Sequence, residues 1–292
     1  MAVAEPYFAT NLVPIRTRAA SSVREYFRGT STPGWLAFGA LALMFVVAIF
    51  GKELAPFNPL VPAGTPQIGP NATNWFGTDT AGRDVLSRVL VGMSTSWWGA
   101  LGVVASGVVI GGLVGLVAGA LGGWVDNVLM RISDIFLALP APILAIAVVA
   151  ALGPSYVHTL IGVAIVWWPL YTRIMRAEIR RLRSAPHMEA AKLAGIGWFR
   201  RLRRHLLPGA VPVTIVTASL DVSALVLMLS SLSFLGLGAP EPAPELGAMA
   251  AQGMTNVMTS WWIPVFPALG VALIAIVSNF SGDAIRDRIG DR

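Results

Sequence analysis

Side chains that could carry out chemistry are few in this 292-residue chain. It has no cysteine, which excludes disulfides, thiolate metal sites and cysteine nucleophiles. The three histidines, His158, His187 and His205, are too scattered to suggest a dedicated metal site, and no histidine can be paired with a serine inside an apolar segment, as an intramembrane protease would require. We therefore expect no catalytic residue and no bound metal.

A nucleotide site is also missing from the sequence. The phosphate-binding pattern G-x-x-x-x-G-K-[ST] does not occur, because Lys52 is followed by Glu53 and Lys192 by Leu193. If ATP drives this protein, a separate chain must bind it.

One carboxylate, Asp221, interrupts an otherwise uncharged apolar segment. An ionisable group at that depth in a membrane is costly, and it indicates either an ion-coupled secondary carrier or a structural carboxylate that is capped or paired with an arginine. Both interpretations stay open at this stage. A passive channel or scaffold is a third class.

The composition of the chain indicates that the elements carrying these residues lie in a membrane. Hydrophobic residues make up 55% of the chain and charged residues 12%, and the mean hydropathy is +0.69. Segments long enough to cross about 30 Å of hydrocarbon predict an all-α polytopic membrane protein with six transmembrane helices. The predicted spans are 35–51, 97–121, 128–152, 156–175, 206–237 and 261–282. Divided into domains with the residues that flank each span included, the chain has a tail at 1–33, a first span at 34–54 and an extramembrane loop at 55–95. A core at 96–283 and a tail at 284–292 follow.

The distribution of positive charge predicts the orientation of these spans. With six crossings, eighteen of the 21 Lys and Arg residues fall on one side, and only Lys52, Arg83 and Arg88 fall on the other. The positive-inside rule therefore places both termini and the basic segment 173–205 in the cytoplasm.

Local patterns predict how two segments outside the membrane are built. Ser184 can cap a short helix that begins near Pro186, presents Met188, Ala191 and Leu193 as an apolar surface for a partner, and stops at Gly195. On the opposite side, Asp79 can cap a short helix reading GRDVLSRVL, with local pairs among Arg83, Asp84 and Arg88. Within the second span, Gly107, Gly111, Gly115 and Gly119 recur every fourth residue and predict close helix packing.

Four motifs carry a family resemblance. EAAKLAG, nine residues and then HLLP, over 189–208, resembles the EAA loop of bacterial ABC importer permeases. NWFGTDTAGRDVLSRVLVG at 74–92, SFLGLG at 233–238 and GDAIRD near the C-terminus resemble the dipeptide, oligopeptide and nickel branch. The GTDxxGRD segment after the first span is similar to the second, C-type permease of that branch.

The resemblance implies an ABC type I importer permease fold and a non-catalytic subunit in the bacterial inner membrane. The implied partners are a B-type permease, one or two ABC ATPase subunits that bind ATP and Mg²⁺, an extracytoplasmic substrate-binding protein and membrane lipid, but no nucleic acid. It implies a coupling loop at 178–208 that docks the ATPase through Glu189, Ala190, Ala191, Gly195, His205, Leu207 and Pro208. Structural or binding-protein docking roles are expected for Gly77, Asp79, Gly82, Arg83 and Asp84. The expected translocation path includes Asp221, Ser233 and Phe234.

Overall fold

The structure is a computed structural model that describes residues 32–290. Within that part every regular element is helical, which confirms the all-α prediction. Residues 1–31 of the predicted tail 1–33 and residues 291–292 of the predicted tail 284–292 lie outside it. The α-helices are α1 Thr32–Phe50, α2 Val85–Leu121, α3 Gly123–Leu137, α4 Ala141–Leu152, α5 Tyr156–Arg183, α6 Pro186–Leu193, α7 Trp198–Arg201, α8 Leu207–Leu232, α9 Leu246–Gly253 and α10 Trp262–Gly290. Two π-helical segments, Leu202–Leu206 and Ser233–Leu237, flank α8.

Fewer helices than six meet length and hydropathy criteria for crossing a membrane. Among residues 32–290, three do: α2, the continuous helical stretch Trp198–Leu237, and α10. The count becomes four if α3 and α4 together form one broken span, and α1 is apolar but shorter. Helix α5 is long, but its C-terminal half is rich in arginine and lowers its hydropathy.

Helices α2 and α5 share a long packing interface and run side by side in the same direction. The Tyr156 hydroxyl at the start of α5 donates to the Thr95 carbonyl near the start of α2, at 2.8 Å. At the other end, Arg183 donates to the Gly119 and Ala120 carbonyls, both at 2.8 Å. We call these the Asp79 end and the Arg183 end of the bundle, after a residue near each.

Because α2 finishes at the Arg183 end and α5 begins at the Asp79 end, α3 and α4 must carry the chain back between them. They do so with a bend of 83°. The segment predicted as a span over 128–152 is therefore broken into two helices. The break falls at Ala138–Pro140, and Pro140 cannot continue a helix from α3 because its ring removes the N–H donor and clashes with the preceding turn.

The remaining long helices alternate in direction. Gly209 at the start of α8 lies against Leu182, and Thr159 donates to the Leu237 carbonyl, so α8 runs antiparallel to α5. Trp262 begins α10 at the Asp79 end by donating to the Thr78 carbonyl at 3.1 Å. Helix α10 then runs toward the Arg183 end, where Ser281 donates to Ala37 of α1 at 3.2 Å.

The stripe of glycines in α2 is buried against α5, which confirms the packing prediction. A Cβ atom added at Gly111 would lie 2.1 Å from the Trp168 carbonyl oxygen, and one at Gly115 would lie 2.4 Å from the Thr172 oxygen. Only glycine permits backbones this close, and such approach is how helices associate where lipid offers no hydrophobic drive. The α2–α5 pair is thus the frame on which the other helices pack.

Candidate functional site

The segment 184–208, here called the elbow, joins α5 to α8 at the Arg183 end. Its first helix, α6, begins at Pro186, where a proline is tolerated because the first-turn N–H groups have no helical acceptor. Ala185 is the extended residue before it, and no side chain caps the helix. The predicted Ser184 cap is therefore wrong: α5 extends to Arg183, and the Ser184 hydroxyl donates back to the Arg181 carbonyl at 3.0 Å.

One face of α6 packs into its own chain. Met188 and Ala191 are 3% and 8% exposed, so they are not available to a partner as the sequence predicted. Met188 belongs to a small apolar cluster at the ends of α5 and α8 that also contains Ile179, Leu206 and Ala210. The opposite face is open: Glu189 and Ala190 are exposed, and Leu193 is 89% exposed.

A glycine ends α6, as predicted. Gly195 has φ +73°, a left-handed conformation that glycine adopts at little cost. The Ile196 N–H donates to the Ala191 carbonyl at 3.0 Å, which closes the helix end. After this bend, α7 and the first π-helical segment lead into α8 without interruption.

The HLLP residues at the end of the elbow differ in exposure. Leu206 is fully buried, whereas Leu207 is 40% exposed and Pro208 is exposed. His205 is half-buried, and its ring lies 6.2 Å from the His187 ring. Sequence reasoning therefore missed Leu206, the residue that anchors the elbow, because its neighbour Leu207 has the same side chain and only the register of α8 distinguishes them.

Arginines attach the elbow and α3 to the bundle. The Arg183 guanidinium, which binds the last carbonyls of α2, also lies 5.9 Å from the centre of the Trp198 ring, close enough for a cation–π contact. Arg176 of α5 makes a bidentate pair with Asp126 of α3. Arg180 lies 3.6 Å from the same carboxylate. As a result, the elbow, α3 and α5 are tied together at this end.

At the Asp79 end, three charged residues form a buried network. One oxygen of Asp79 accepts the backbone N–H groups of Ala81 and Arg83, and the other accepts Arg83 Nε at 2.6 Å. The Arg88 Nε atom lies 3.5 Å from that second oxygen. Arg83 also reaches Glu241, 3.6 Å away in the connection before α9.

Arg88 joins three segments that are distant in sequence. It is 1% exposed, and its Nη1 atom donates to the Pro59 carbonyl at 2.8 Å and to the Pro242 carbonyl at 3.1 Å. A buried guanidinium must have its donors satisfied, so this arginine links the 51–84 segment, α2 and the connection before α9. The sequence predicted only local pairing for it.

Asp84, rather than Asp79, caps the helix at this end. Its side chain accepts the Ser87 N–H and hydroxyl at 2.8 and 2.7 Å and the Asn74 amide at 2.8 Å. The predicted short helix GRDVLSRVL is in fact the first turns of α2, which begins at Val85. The predicted Asp79 cap is wrong because Asp79 lies five residues before Asp84, the N-cap residue of α2, and its carboxylate already binds Arg83 and Arg88. The predicted Arg83–Asp84 pair is also wrong, because Arg83 pairs with Asp79 while Asp84 accepts from Asn74 and Ser87.

All five residues that were predicted for structural or docking roles here are buried. Gly77 and Gly82 have positive φ angles, and a Cβ at Gly82 would lie 2.3 Å from the Gly64 carbonyl oxygen. Exposed groups at this end are their neighbours, such as Trp75 and Glu241. Glu245 caps α9 through the N–H groups of Gly247 and Ala248, and burial raises the pKa of this carboxyl.

Three residues were predicted for a translocation path. Asp221 lies near the middle of α8, where one of its oxygens accepts the Trp167 indole N–H at 3.2 Å. Ser233 is 1% exposed and packs against Gly238 and Gly247, whereas Phe234 is 45% exposed. The structure thus separates the buried Ser233 from the two more open side chains.

Comparison with known proteins gives a family match for most of the membrane core. Residues 111–292 match the family described as "Binding-protein-dependent transport system inner membrane component". This range contains the elbow, Asp221 and the connection that holds Glu241.

Individual relatives extend the similarity toward the N-terminus. The chain is 41% identical over 248 residues to the probable D,D-dipeptide transport system permease protein DdpC of Escherichia coli K12, which covers 85% of this chain and 83% of that protein. It is 38% identical over 275 residues to the dipeptide transport system permease protein DppC of Alkalihalophilus pseudofirmus, covering 93% and 90%. It is 39% identical to the glutathione transport system permease protein GsiD of Escherichia coli O6:K15:H31, covering 85% and 82%.

Proposed function

Since this chain belongs to the family of binding-protein-dependent transport system inner membrane components, we propose that it is the C-type permease subunit of an ABC importer for short peptides. Its place is the bacterial inner membrane. The names of the relatives favour peptides as the solute, because dipeptides, D,D-dipeptides and glutathione all share a peptide-like backbone with a free ammonium group. The ion-coupled carrier is not supported, because the matched family is defined by dependence on a binding protein.

Six crossings with both termini in the cytoplasm are part of this proposal. The alternating directions of α1, α2, the α3–α4 pair, α5, α8 and α10 support it, because each carries the chain between the two ends of the bundle. Ten Lys and Arg residues between 173 and 205 lie at or near the Arg183 end, the side that the positive-inside rule assigns to the cytoplasm. The Asp79 end is then extracytoplasmic.

The elbow is the proposed docking site for an ABC ATPase. The observation that carries this is the division of α6 into two faces. Met188 and Ala191 are buried on one face, where Met188 contacts the ends of α5 and α8, while Glu189, Ala190 and Leu193 remain exposed on the other. A helix held this firmly transmits movement of an outside groove to the spans behind it. His205, Leu207 and Pro208 border the same region.

The energy source in this proposal lies outside the chain. ATP and Mg²⁺ are bound by one or two partner ATPases, and a B-type permease supplies the other half of the path. An extracytoplasmic binding protein delivers the peptide at the Asp79 end, where Asp79, Arg83 and Arg88 form a rigid base beneath the exposed groups. Closure of the ATPases favours one permease conformation through the elbow.

The test reverses charge on the exposed face of α6. Glu189→Lys in the complete transporter should leave membrane insertion unchanged and uncouple ATP hydrolysis from peptide uptake in vesicles. Gly195→Asp should have the same effect through the bend. The matched control is Glu53→Lys, which makes the same charge change on an exposed residue near the other end of the bundle. Coupled uptake by Glu189→Lys equal to that of the control would contradict elbow docking, and uptake by this chain alone without nucleotide would contradict the whole proposal.

A further inference from the structure

The charge of Asp221 has no counter-charge in the part of the chain that is described. Asp221 lies fourteen residues after Leu207, the first residue of α8, and sixteen before Leu237, which is about 20 Å or slightly more along the helix from each of these two residues. Its neighbours are the Trp167 indole, which donates to Oδ2, and the Tyr171 hydroxyl, which lies close to the carboxyl. Both side chains are neutral, only the indole makes a hydrogen bond to the carboxylate, and no Lys or Arg among residues 32–290 forms a salt bridge with Asp221.

Asp221 is partly exposed, and lipid cannot be what covers its exposed side. An unpaired carboxylate facing hydrocarbon at this depth is strongly unfavourable, and such residues instead face a water-filled cavity or a partner. The uncovered side of Asp221 must therefore face the interior of the assembled transporter rather than the bilayer.

The same face of α8 carries other polar groups. Thr217, Asp221, Ala224, Met228 and Ser231 follow one another at spacings of four and three, which places them on one stripe of the helix. The Thr217 and Ser231 hydroxyls are exposed and donate to carbonyls one turn earlier. This stripe carries two hydroxyls and one carboxylate along α8, together with Ala224 and with Met228, which packs against the hydrophobic core.

From this geometry we propose that Asp221 is a binding site for a side-chain ammonium group of the transported peptide, such as that of a lysine residue. The inference rests on the peptide-importer function proposed above and adds a residue and a chemistry to it. A primary ammonium is the natural partner of a carboxylate that is already oriented by the neutral Trp167 indole, because a charge-assisted hydrogen bond is both shorter and stronger than a neutral one. Trp167 positions the carboxylate, and the peptide supplies the missing positive charge as it passes.

The experiment measures uptake by the complete transporter, with its second permease, ATPases and binding protein, in proteoliposomes. Two dipeptides are compared at saturating concentrations: Ala-Lys, which carries an additional ammonium, and Ala-Glu, which carries an additional carboxylate. The variants are Asp221→Asn, which keeps an oxygen acceptor for Trp167 but removes the charge, and Asp221→Glu, which keeps the charge. The control is Asp134→Asn, which removes a carboxylate from an exposed ion pair with Arg173 at the Arg183 end.

We expect Asp221→Asn to lower the ratio of the maximal uptake rates, Ala-Lys over Ala-Glu, at least fivefold. Asp221→Glu and the control should keep that ratio within twofold of the wild type. If Asp221→Asn lowers both rates equally, the residue is structural and the inference is overturned. If instead Asp221→Asn dissociates the two permeases during purification, the counter-charge belongs to the partner subunit, and the inference is also overturned. Absence of ATP-dependent uptake of either peptide by the wild type would refute the proposed function itself.

Discussion

Replacement of one glycine in the α2–α5 contact should destabilise the whole bundle. In Gly111→Ala, the new methyl group would lie 2.1 Å from the Trp168 carbonyl oxygen and 2.8 Å from the Tyr171 Cβ atom. Ordinary contacts of this kind are longer than 3.4 Å. Neither neighbour can rotate away, because one is backbone and the other is attached directly to it. The two helices must therefore separate, and overpacking of this kind costs about 1–3 kcal/mol.

Gly102 of the same helix is the matched control. A Cβ atom at Gly102 meets nothing within 4 Å, so Gly102→Ala adds the same methyl group without a clash. Alanine is favoured over glycine in helices by about 1 kcal/mol, and the control should be neutral or slightly stabilising.

The assay is the fraction of transporter that stays monodisperse on size-exclusion chromatography after heating in membranes. We expect the midpoint for Gly111→Ala to fall by several degrees and that for Gly102→Ala to stay level or rise. A loss of 1 kcal/mol or more changes the unfolding equilibrium by a factor of about 5 or greater. Equal midpoints for the two variants would refute the interpretation that α2 and α5 pack backbone to backbone.

Other parts of the fold give three further predictions. Asp84→Ala removes the cap of α2 and the acceptor for buried Asn74, and it should cost about 1–2 kcal/mol in thermal stability, whereas Glu53→Ala at an exposed position should cost little. Gly195→Val should speed amide hydrogen exchange in α6, because the left-handed conformation costs a branched residue about 1–2 kcal/mol; Gly197→Val, equally open but at φ −58°, should not, and similar exchange in both would contradict this account. Because burial raises the pKa of Glu245 above its ordinary 4.5, the folded protein binds that proton more tightly than the unfolded chain, so this contribution to stability is present at low pH and is lost as pH rises through the raised pKa. Melting curves of Glu245→Gln at several pH values should lack this decline, and an unchanged pH profile would count against it.

The elbow shows how far local patterns reach. Pro186 and the glycine that ends EAAKLAG predicted a short helix with a bend at Gly195, and both are present. Which face of that helix is free was not predictable, because it depends on Ile179 and Ala210, residues of two other helices. The sequence therefore assigned Met188 and Ala191 to a partner when packing assigns them to the chain itself.

The cluster at the Asp79 end shows a second limit. Asp79 and Asp84 are both aspartates shortly before a helix, and both are chemically able to cap it. Which aspartate caps the helix depends on where the backbone enters helical geometry. Asp79 does not cap it, because its carboxylate binds Arg83 and Arg88. Local spacing cannot reveal that competition.

The amino-acid sequence alone determined that this is a helical membrane protein with a strongly basic segment at 173–205, because composition, periodicity and the positions of Lys and Arg are properties of neighbouring residues. Only the tertiary structure decided that α2 and α5 run parallel, that the chain returns between them through a bend at Pro140, and that Arg88 binds Pro242, 154 positions away. These features depend on contacts between distant segments, and their free energies arise only when the helices pack together.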